Sequence, residues 1–102
     1  MFIATSLYSE NITRDQLVVR GGIVYQMDSE KPFTGTYLDF HKNGQLWMKE
    51  SFNKGIRNGP QEHYYESGQL TERNNYKDGK LNGLREGYLK NGQSEWLENY
   101  KN

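Results

Sequence analysis

The sequence lacks several features on which common protein functions depend. Its 102 residues contain no cysteine, which excludes disulfides, thiolate catalysis and cysteine-based zinc sites. No apolar run approaches the roughly 18 residues that a membrane-spanning helix needs. The 13 basic residues balance 13 acidic ones, so no net charge attracts nucleic acid or an anionic membrane surface.

Motifs for catalysis and for cofactors are also missing. His41 and His63 lie in different segments without a third metal ligand, and they are interpreted as exposed strand residues. Ser67 is a turn residue rather than a nucleophile. The glycine-rich segments separate strands and do not open a helix, so they are not phosphate-binding loops. We therefore predict no catalytic, metal-ligating or cofactor-binding residues, and no enzymatic activity.

Aliphatic residues are scarce, but aromatic residues are not. Only 33% of the residues are hydrophobic and the mean hydropathy is −1.04, whereas 14% are aromatic. A disordered chain would be poor in aromatics. Large rings bury much area per residue, and tyrosine and tryptophan keep a polar tip for water. This composition favours a thin sheet over a thick globule.

The sequence repeats with a period of 24 residues. Aligning Gly35, Gly59 and Gly83 places the ranges 35–58, 59–82 and 83–102 in register without a gap. Two aromatic columns and two further glycine columns share that period, and we assign them structural roles in the repeat: Phe40, Tyr64 and Tyr88; Phe52, Tyr76 and Tyr100; Gly44, Gly68 and Gly92; Gly55 and Gly79. So many matching columns indicate a repeat protein.

Each unit holds two short runs separated by glycine-containing turns, which is typical of β-hairpins. The predicted fold is all-β: an elongated antiparallel meander of stacked hairpins with about eight strands. A three-residue loop at 42–44, with Gly44 left-handed, places Phe40 opposite Leu46 and Leu38 opposite Met48. With that loop, Phe52 joins Phe40 on one face of the sheet, and the aromatic set is not divided.

The region before the repeats divides into two parts. Residues 1–16 are assigned to an N-terminal tail, either an ordinary terminus or the remnant of a signal segment. Residues 17–34 read as a hairpin that turns at Gly21-Gly22, followed by a linker, and this pair forms a cap for the array. An upstream signal would imply export or an envelope location, and its absence a cytoplasmic one. At the other end, the last strand is expected to be an open edge.

The repeat resembles the MORN repeat variant family over roughly residues 17–102. The resemblance rests on Tyr64-Tyr65-Glu66-Ser67-Gly68-Gln69-Leu70 and on Tyr76-Lys77-Asp78-Gly79-Lys80-Leu81-Asn82-Gly83, with a family-like opening segment at Ser29-Glu30-Lys31-Pro32-Phe33-Thr34-Gly35. It implies hairpins in an elongated sheet and no activity in the repeat. Many bacterial members are labelled antitoxins, and MORN repeats are linked with membranes and protein binding. Ser94 and Gly87 depart from the pattern and predict an irregular last unit.

These features predict a protein-interaction module. The partner-binding candidates are placed on the sheet face opposite the aromatic columns: Tyr37, His41, Trp47, Tyr65 and Leu89. The partner is expected to be another protein, such as a toxin, or a second copy of the chain through edge strands. The alternatives are a membrane- or envelope-associated scaffold, which the balanced charge does not support, and a cell-wall or carbohydrate-binding module. A row of Glu50, Asn74 and Glu98 is assigned a structural role, in which each side chain accepts hydrogen bonds from backbone N–H groups of a neighbouring turn.

Overall fold

The computed structural model describes residues 10–101, and nearly all of its regular structure is β-strand. A short 3-10 helix, Arg14–Gln16, interrupts the strands near the start. Ten strands lie within the described residues: β1 Glu10–Thr13, β2 Leu17–Arg20, β3 Ile23–Gln26, β4 Gly35–Phe40, β5 Leu46–Asn53, β6 Ile56–Tyr64, β7 Leu70–Lys77, β8 Lys80–Leu81, β9 Gly83–Tyr88 and β10 Ser94–Tyr100.

Most of the strands form one sheet in the order β1-β4-β5-β6-β7-β9-β10, with β8 paired to β7. From β4 to β10 every neighbouring pair is antiparallel. The edge strand β1 runs parallel to β4, and β2 and β3 form a separate two-stranded hairpin. The prediction of an all-β meander of hairpins is confirmed.

One kind of turn recurs three times at the same edge of the sheet, which we call the loop edge. His41 N–H donates to Gln45 O, and Gly44 N–H donates back to His41 O, at 2.8 and 2.9 Å. The same two bonds recur in the loops at 65–69 and 89–93. Gly44 has φ +88°, a conformation that side chains with a Cβ rarely adopt. The predicted three-residue loop is therefore confirmed.

The opposite edge carries two-residue turns at Lys54-Gly55 and Asp78-Gly79. All four residues have positive φ, as the type I′ hairpin turn requires. Each turn is bonded to a carbonyl 22 residues earlier in the chain: Gly55 N–H donates to Phe33 O, just before β4, and Gly79 N–H to Arg57 O in β6, at 2.7 and 2.9 Å. Consecutive turns therefore contact the preceding hairpin in the same way.

A β-bulge divides the predicted aromatic face. Phe40 pairs with Leu46, as predicted, but Asp39 pairs with Met48, so Trp47 has no partner on β4. The predicted pairing of Leu38 with Met48 is wrong, because Leu38 pairs with Lys49. Equivalent shifts of the pairing register leave Thr71 without a partner on β6 and Glu95 without a partner on β9, so all three repeats share the bulge. The extra residue reverses the alternation along β5, which places Phe52 on the face opposite Phe40.

The two faces of the main sheet therefore differ. We call the face that carries Glu50 and Phe52 the core face, and the face that carries Phe40, Tyr64 and Tyr88 the outer face. The β2–β3 hairpin packs over the first strands of the core face, where Val24 and Phe33 are buried with Phe52. The rings of Phe33 and Phe52 are 6.2 Å apart. The apolar core is confined to this end of the sheet.

The segment assigned to an N-terminal tail is partly built into the fold. Residues 10–16 form β1 and the 3-10 helix, and Ile12 is the most completely buried residue of the core, at 1% exposure. The assignment of 10–16 to a tail is wrong, because Ile12 adds apolar contacts to a core short of aliphatic side chains. Residues 1–9, where a signal remnant would lie, are outside the described residues.

Candidate interaction site

A continuous row of polar side chains crosses the core face. Glu50 Oε2 accepts hydrogen bonds from Arg57 Nε at 2.6 Å and from Gln61 Nε2 at 2.8 Å. Asn74 Nδ2 donates to Gln61 Oε1 at 2.9 Å, and Arg85 Nε donates to Asn74 Oδ1 at 3.0 Å. Glu50, Gln61 and Asn74 are buried. Each buried polar group thus finds a side-chain partner, as it must away from water.

The hydrogen-bond partners of this row differ from the predicted ones. Glu98 continues the row, since Arg85 Nη1 lies 3.4 Å from Glu98 Oε1. The partners of Glu50 are side chains of β6 and not backbone N–H groups of a turn. The hydrogen bond to Glu50 raises the pKa of Arg57 above its ordinary value, although burial of the guanidinium opposes the shift. The row therefore fixes the guanidinium in its charged state beside the carboxylate.

A groove of about 520 Å³ lies between the core face and the β2–β3 hairpin. This volume is within the range of ligand-binding clefts. The hairpin contributes an apolar wall through Leu17 and Val19, and the floor includes Met48. Arg14 and Arg57 also line the groove, with side chains 78% and 48% exposed. The groove thus combines apolar surface with two accessible cations.

Two carboxylates lie deeper in the same groove, and both are occupied by hydrogen bonds. Asp39 accepts hydrogen bonds from the hydroxyl of Tyr37 at 3.2 Å and from Phe40 N–H at 2.9 Å. The Asp39 and Glu50 side chains are only 17% and 7% exposed. An incoming molecule would therefore meet the arginines before the carboxylates.

Tyr37 belongs to the core and not to an open binding face. It is 6% exposed, packs with Phe52 and pairs with Glu50. Burial, and then the Asp39 charge, raise the pKa of its hydroxyl. Tyr37 lies on the face opposite Phe40, as predicted, but it shares that face with Phe52, because the β-bulge moves Glu50 and Phe52 to the side that Tyr37 occupies.

Two predicted partner-binding residues, His41 and Tyr65, join neighbouring hairpins at the loop edge. His41 Nε2 donates to Tyr64 O at 2.7 Å, and the Tyr65 hydroxyl donates to Tyr88 O at 3.0 Å. Each bond spans 23 residues of sequence and ends on the last residue of a strand, β6 or β9. These side chains therefore hold one loop against the next hairpin.

The other two candidates, Trp47 and Leu89, are accessible. Trp47 is 37% exposed, lines the groove, and meets the rings of His41 and His63 edge-on at 6.5 and 5.9 Å. Leu89 occupies the column of His41 and Tyr65 in the last repeat and is 39% exposed. The structure thus brings Trp47 and His41 together, and places Leu89 two hairpins away from them.

Several groove residues were missed by the sequence reasoning, chiefly Arg14, Leu17 and Val19. Their segment was assigned to a tail and a capping hairpin, so no binding role was sought there. Val19 is 59% exposed, although it lies in the most aliphatic run of the chain, Leu17-Val18-Val19. This aliphatic run was the signal available in the sequence. The sequence does not show, however, which side of the hairpin faces the sheet.

The outer face is polar at its centre. Arg73 bridges Glu62 and Glu86 at 2.9 and 3.5 Å, and burial, followed by a hydrogen bond to Glu62, raises the pKa of Tyr64. Leu97, on the last strand, is 62% exposed. This face therefore offers charged side chains that already have partners, and an exposed leucine.

Two further classes of site were sought in the described part of the chain. Residues 10–101 contain no group of three or more side chains that could hold a metal ion. Within the same residues, no helix has the length and apolarity needed to cross a membrane.

Comparison with known proteins identifies the repeat. Residues 33–54 and 57–78 each match the family model described as MORN repeat variant, and the two matches begin one 24-residue period apart. Repeats of this type are non-catalytic modules generally associated with protein or membrane interactions. No curated protein and no solved structure matches the chain. Two consecutive repeats of the chain, joined by equivalent turns and loop contacts, are thus similar to the MORN repeat variant family.

Proposed function

We propose that this protein is a non-enzymatic interaction module that binds a partner protein in the groove, and that it acts as an antitoxin or immunity protein. The observation that carries the proposal is the groove of about 520 Å³, which joins an apolar wall, exposed Trp47 and two accessible arginines. Tryptophan and arginine are enriched at the energetic centres of protein interfaces. The antitoxin role is supported by the label that many members of the family carry.

The groove is a better candidate than the outer face for this role. A partner side chain that enters the groove would pack against its apolar wall and lose part of its contact with water, and water exclusion is what gives interface anchors their large contributions. On the outer face, Arg73 already satisfies two carboxylates. Contacts at such an exposed charged surface contribute little free energy.

Toxicity and rescue test this proposal directly. The protein encoded next to this chain is expressed alone and then together with it, and cell growth is measured. We expect the neighbour to arrest growth and the chain to restore it. Val19→Glu and Trp47→Ala should reduce rescue and complex formation, because both residues line the groove.

Leu97→Glu is the matched control. Leu97 is about as exposed as Val19, at 62% against 59%, but it lies on the outer face of the last strand. Rescue should be unchanged by this variant. Full rescue by both groove variants, or loss of rescue only in Leu97→Glu, would rule out the groove. A neighbour that is harmless by itself would rule out the antitoxin role.

A further inference from the structure

Among residues 10–101, the strand β2 pairs only with β3, and its side chains Leu17 and Val19 line the groove. Val24 N–H donates to Gly55 O at 3.0 Å, and Val24 O accepts a hydrogen bond from Phe33 N–H at 2.9 Å. The backbone groups of Val24 therefore point away from β2. In an antiparallel pair, the backbone N–H and C=O groups of two directly opposite residues either both point toward the partner strand or both point away from it. Val19 pairs with Val24, so its N–H and C=O point away from β3.

These outward groups have no hydrogen-bond partner within residues 10–101. The next outward residue of β2 is Leu17, whose N–H is used by the carbonyl of Arg14 while its C=O points to the free edge. An unpaired strand edge is a template for another extended chain. Since Leu17 and Val19 also line the groove, the same strand offers backbone hydrogen bonds and an apolar wall.

The charges around this edge select among possible occupants. Arg14 keeps 78% of its side chain exposed, and its one ion pair with another of the residues 10–101 is with Asp39, at 3.7 Å. Such an arginine can form a two-pronged pair with an incoming carboxylate. Met48 and Trp47 line the same groove as Leu17 and Val19, so they are available to a groove-facing side chain of an added strand, whose alternate side chains point to one side.

From these features we propose the class of partner, which rests on the function proposed above. The occupant is an extended segment of a partner protein that adds to the free edge of β2. A backbone carbonyl of the segment accepts a hydrogen bond from Val19 N–H, and backbone N–H groups of the segment donate to the carbonyls of Val19 and Leu17. An apolar side chain of the segment enters the groove against Met48, and an acidic side chain pairs with Arg14.

The test uses the full chain and a library of displayed random peptides about ten residues long, the length of a long strand. We expect the selected peptides to share an apolar residue and an acidic residue at alternating spacing. Val19→Pro should weaken the best peptide by about tenfold, roughly the value of one hydrogen bond plus a steric conflict at the edge. Proline is tolerated there because β3 does not use the N–H of Val19.

Val19→Thr is the control variant, since it keeps the N–H and nearly the same shape, and it should bind as the unaltered chain does. Hydrogen exchange of the Val19 amide gives a second readout: the amide should exchange quickly in the free protein and slowly in the complex. A Val19→Pro variant with unchanged affinity, or an amide that exchanges equally fast in the complex, would overturn strand addition.

The experiment separates this inference from the proposed function. If Trp47→Ala weakens the peptide and Val19→Pro does not, the groove binds its ligand without strand pairing, and only the present inference is wrong. If neither variant has an effect, or if no peptide is selected, strand addition is wrong, and the growth-rescue test of the groove variants then decides the proposed function by itself. Loss of folding in Val19→Pro would be detected by circular dichroism, and the amide exchange of the unaltered chain then decides.

Discussion

Removal of the Glu50 carboxylate should destabilise the protein in a graded way that depends on what replaces it. The side chain of Glu50 is 7% exposed, and a single oxygen, Oε2, accepts the bonds from both Arg57 and Gln61. Glutamine at this position could turn its carbonyl oxygen toward the same two donors. Glu50→Gln therefore replaces a charged acceptor oxygen by a neutral one. We expect this change to lower the free energy of unfolding by about 1 kcal/mol.

Glu50→Ala removes the acceptor altogether. The side chain of Arg57 is 48% exposed and its guanidinium can turn to water, so the cost of leaving Arg57 without Glu50 is smaller than for a fully buried ion pair. Gln61 is buried, and its amide keeps no acceptor, which costs about 1–3 kcal/mol in addition to the lost charged bond. We expect a total loss of about 3 kcal/mol.

Urea unfolding, followed by circular dichroism and by the fluorescence of the two tryptophans, measures both losses. Glu98→Ala is the control, because Glu98 occupies the same column but is 52% exposed and meets Arg85 only at 3.4 Å. Its loss should stay below about 1 kcal/mol. Equal losses for Glu50→Gln and Glu50→Ala, or an effect at Glu98 as large as at Glu50, would refute the reasoning.

Three further outcomes are expected. Tyr65→Phe removes one hydrogen bond between hairpins and should lower the melting temperature by about 4–8 °C in calorimetry, for a loss near 1 kcal/mol; an unchanged melting temperature would contradict this role. Gly55→Ala should cost at least about 1 kcal/mol more than Gly44→Ala in urea, because both have positive φ but only Gly55 would set a Cβ against Ile23; equal losses would count against close packing of the hairpin. The raised pKa of Tyr37 means that the folded state holds this proton more tightly, so its contribution to stability is complete below about pH 10 and falls as the pH rises above that value. Absorbance of ionised tyrosine should show a late-titrating group that Tyr37→Phe removes.

The sequence predicted the repeated part of the fold because the same residues recur at each structural position. Glycine columns located the turns, and the placement of Phe40 opposite Leu46 determined the loop length. The bulge beside Trp47 was not predicted, because the alternation of side chains along β5 looks continuous in one dimension. Only the paired strand shows that an extra residue is present.

The candidate site was less predictable than the fold. Two of the five proposed contact residues, His41 and Tyr65, proved to bond backbone carbonyls, a role that depends on the distance between neighbouring hairpins and not on residue type. Arg14 and Val19 were missed because they lie before the repeats, on the unrepeated side of the groove. No column of the repeat could indicate how the unrepeated hairpin packs.

The bonds at the loop edge give the array a direction. The donor at position 41 or 65 reaches a carbonyl in the hairpin that follows it, so each unit is completed by its successor. A duplicate of residues 59–82 inserted after Asn82 would carry both the donor and the acceptor in register, and the protein should therefore lengthen without redesign of its contacts. In such a chain, added units would stabilise one another mainly through nearest neighbours, and the free energy of unfolding would grow in nearly equal steps.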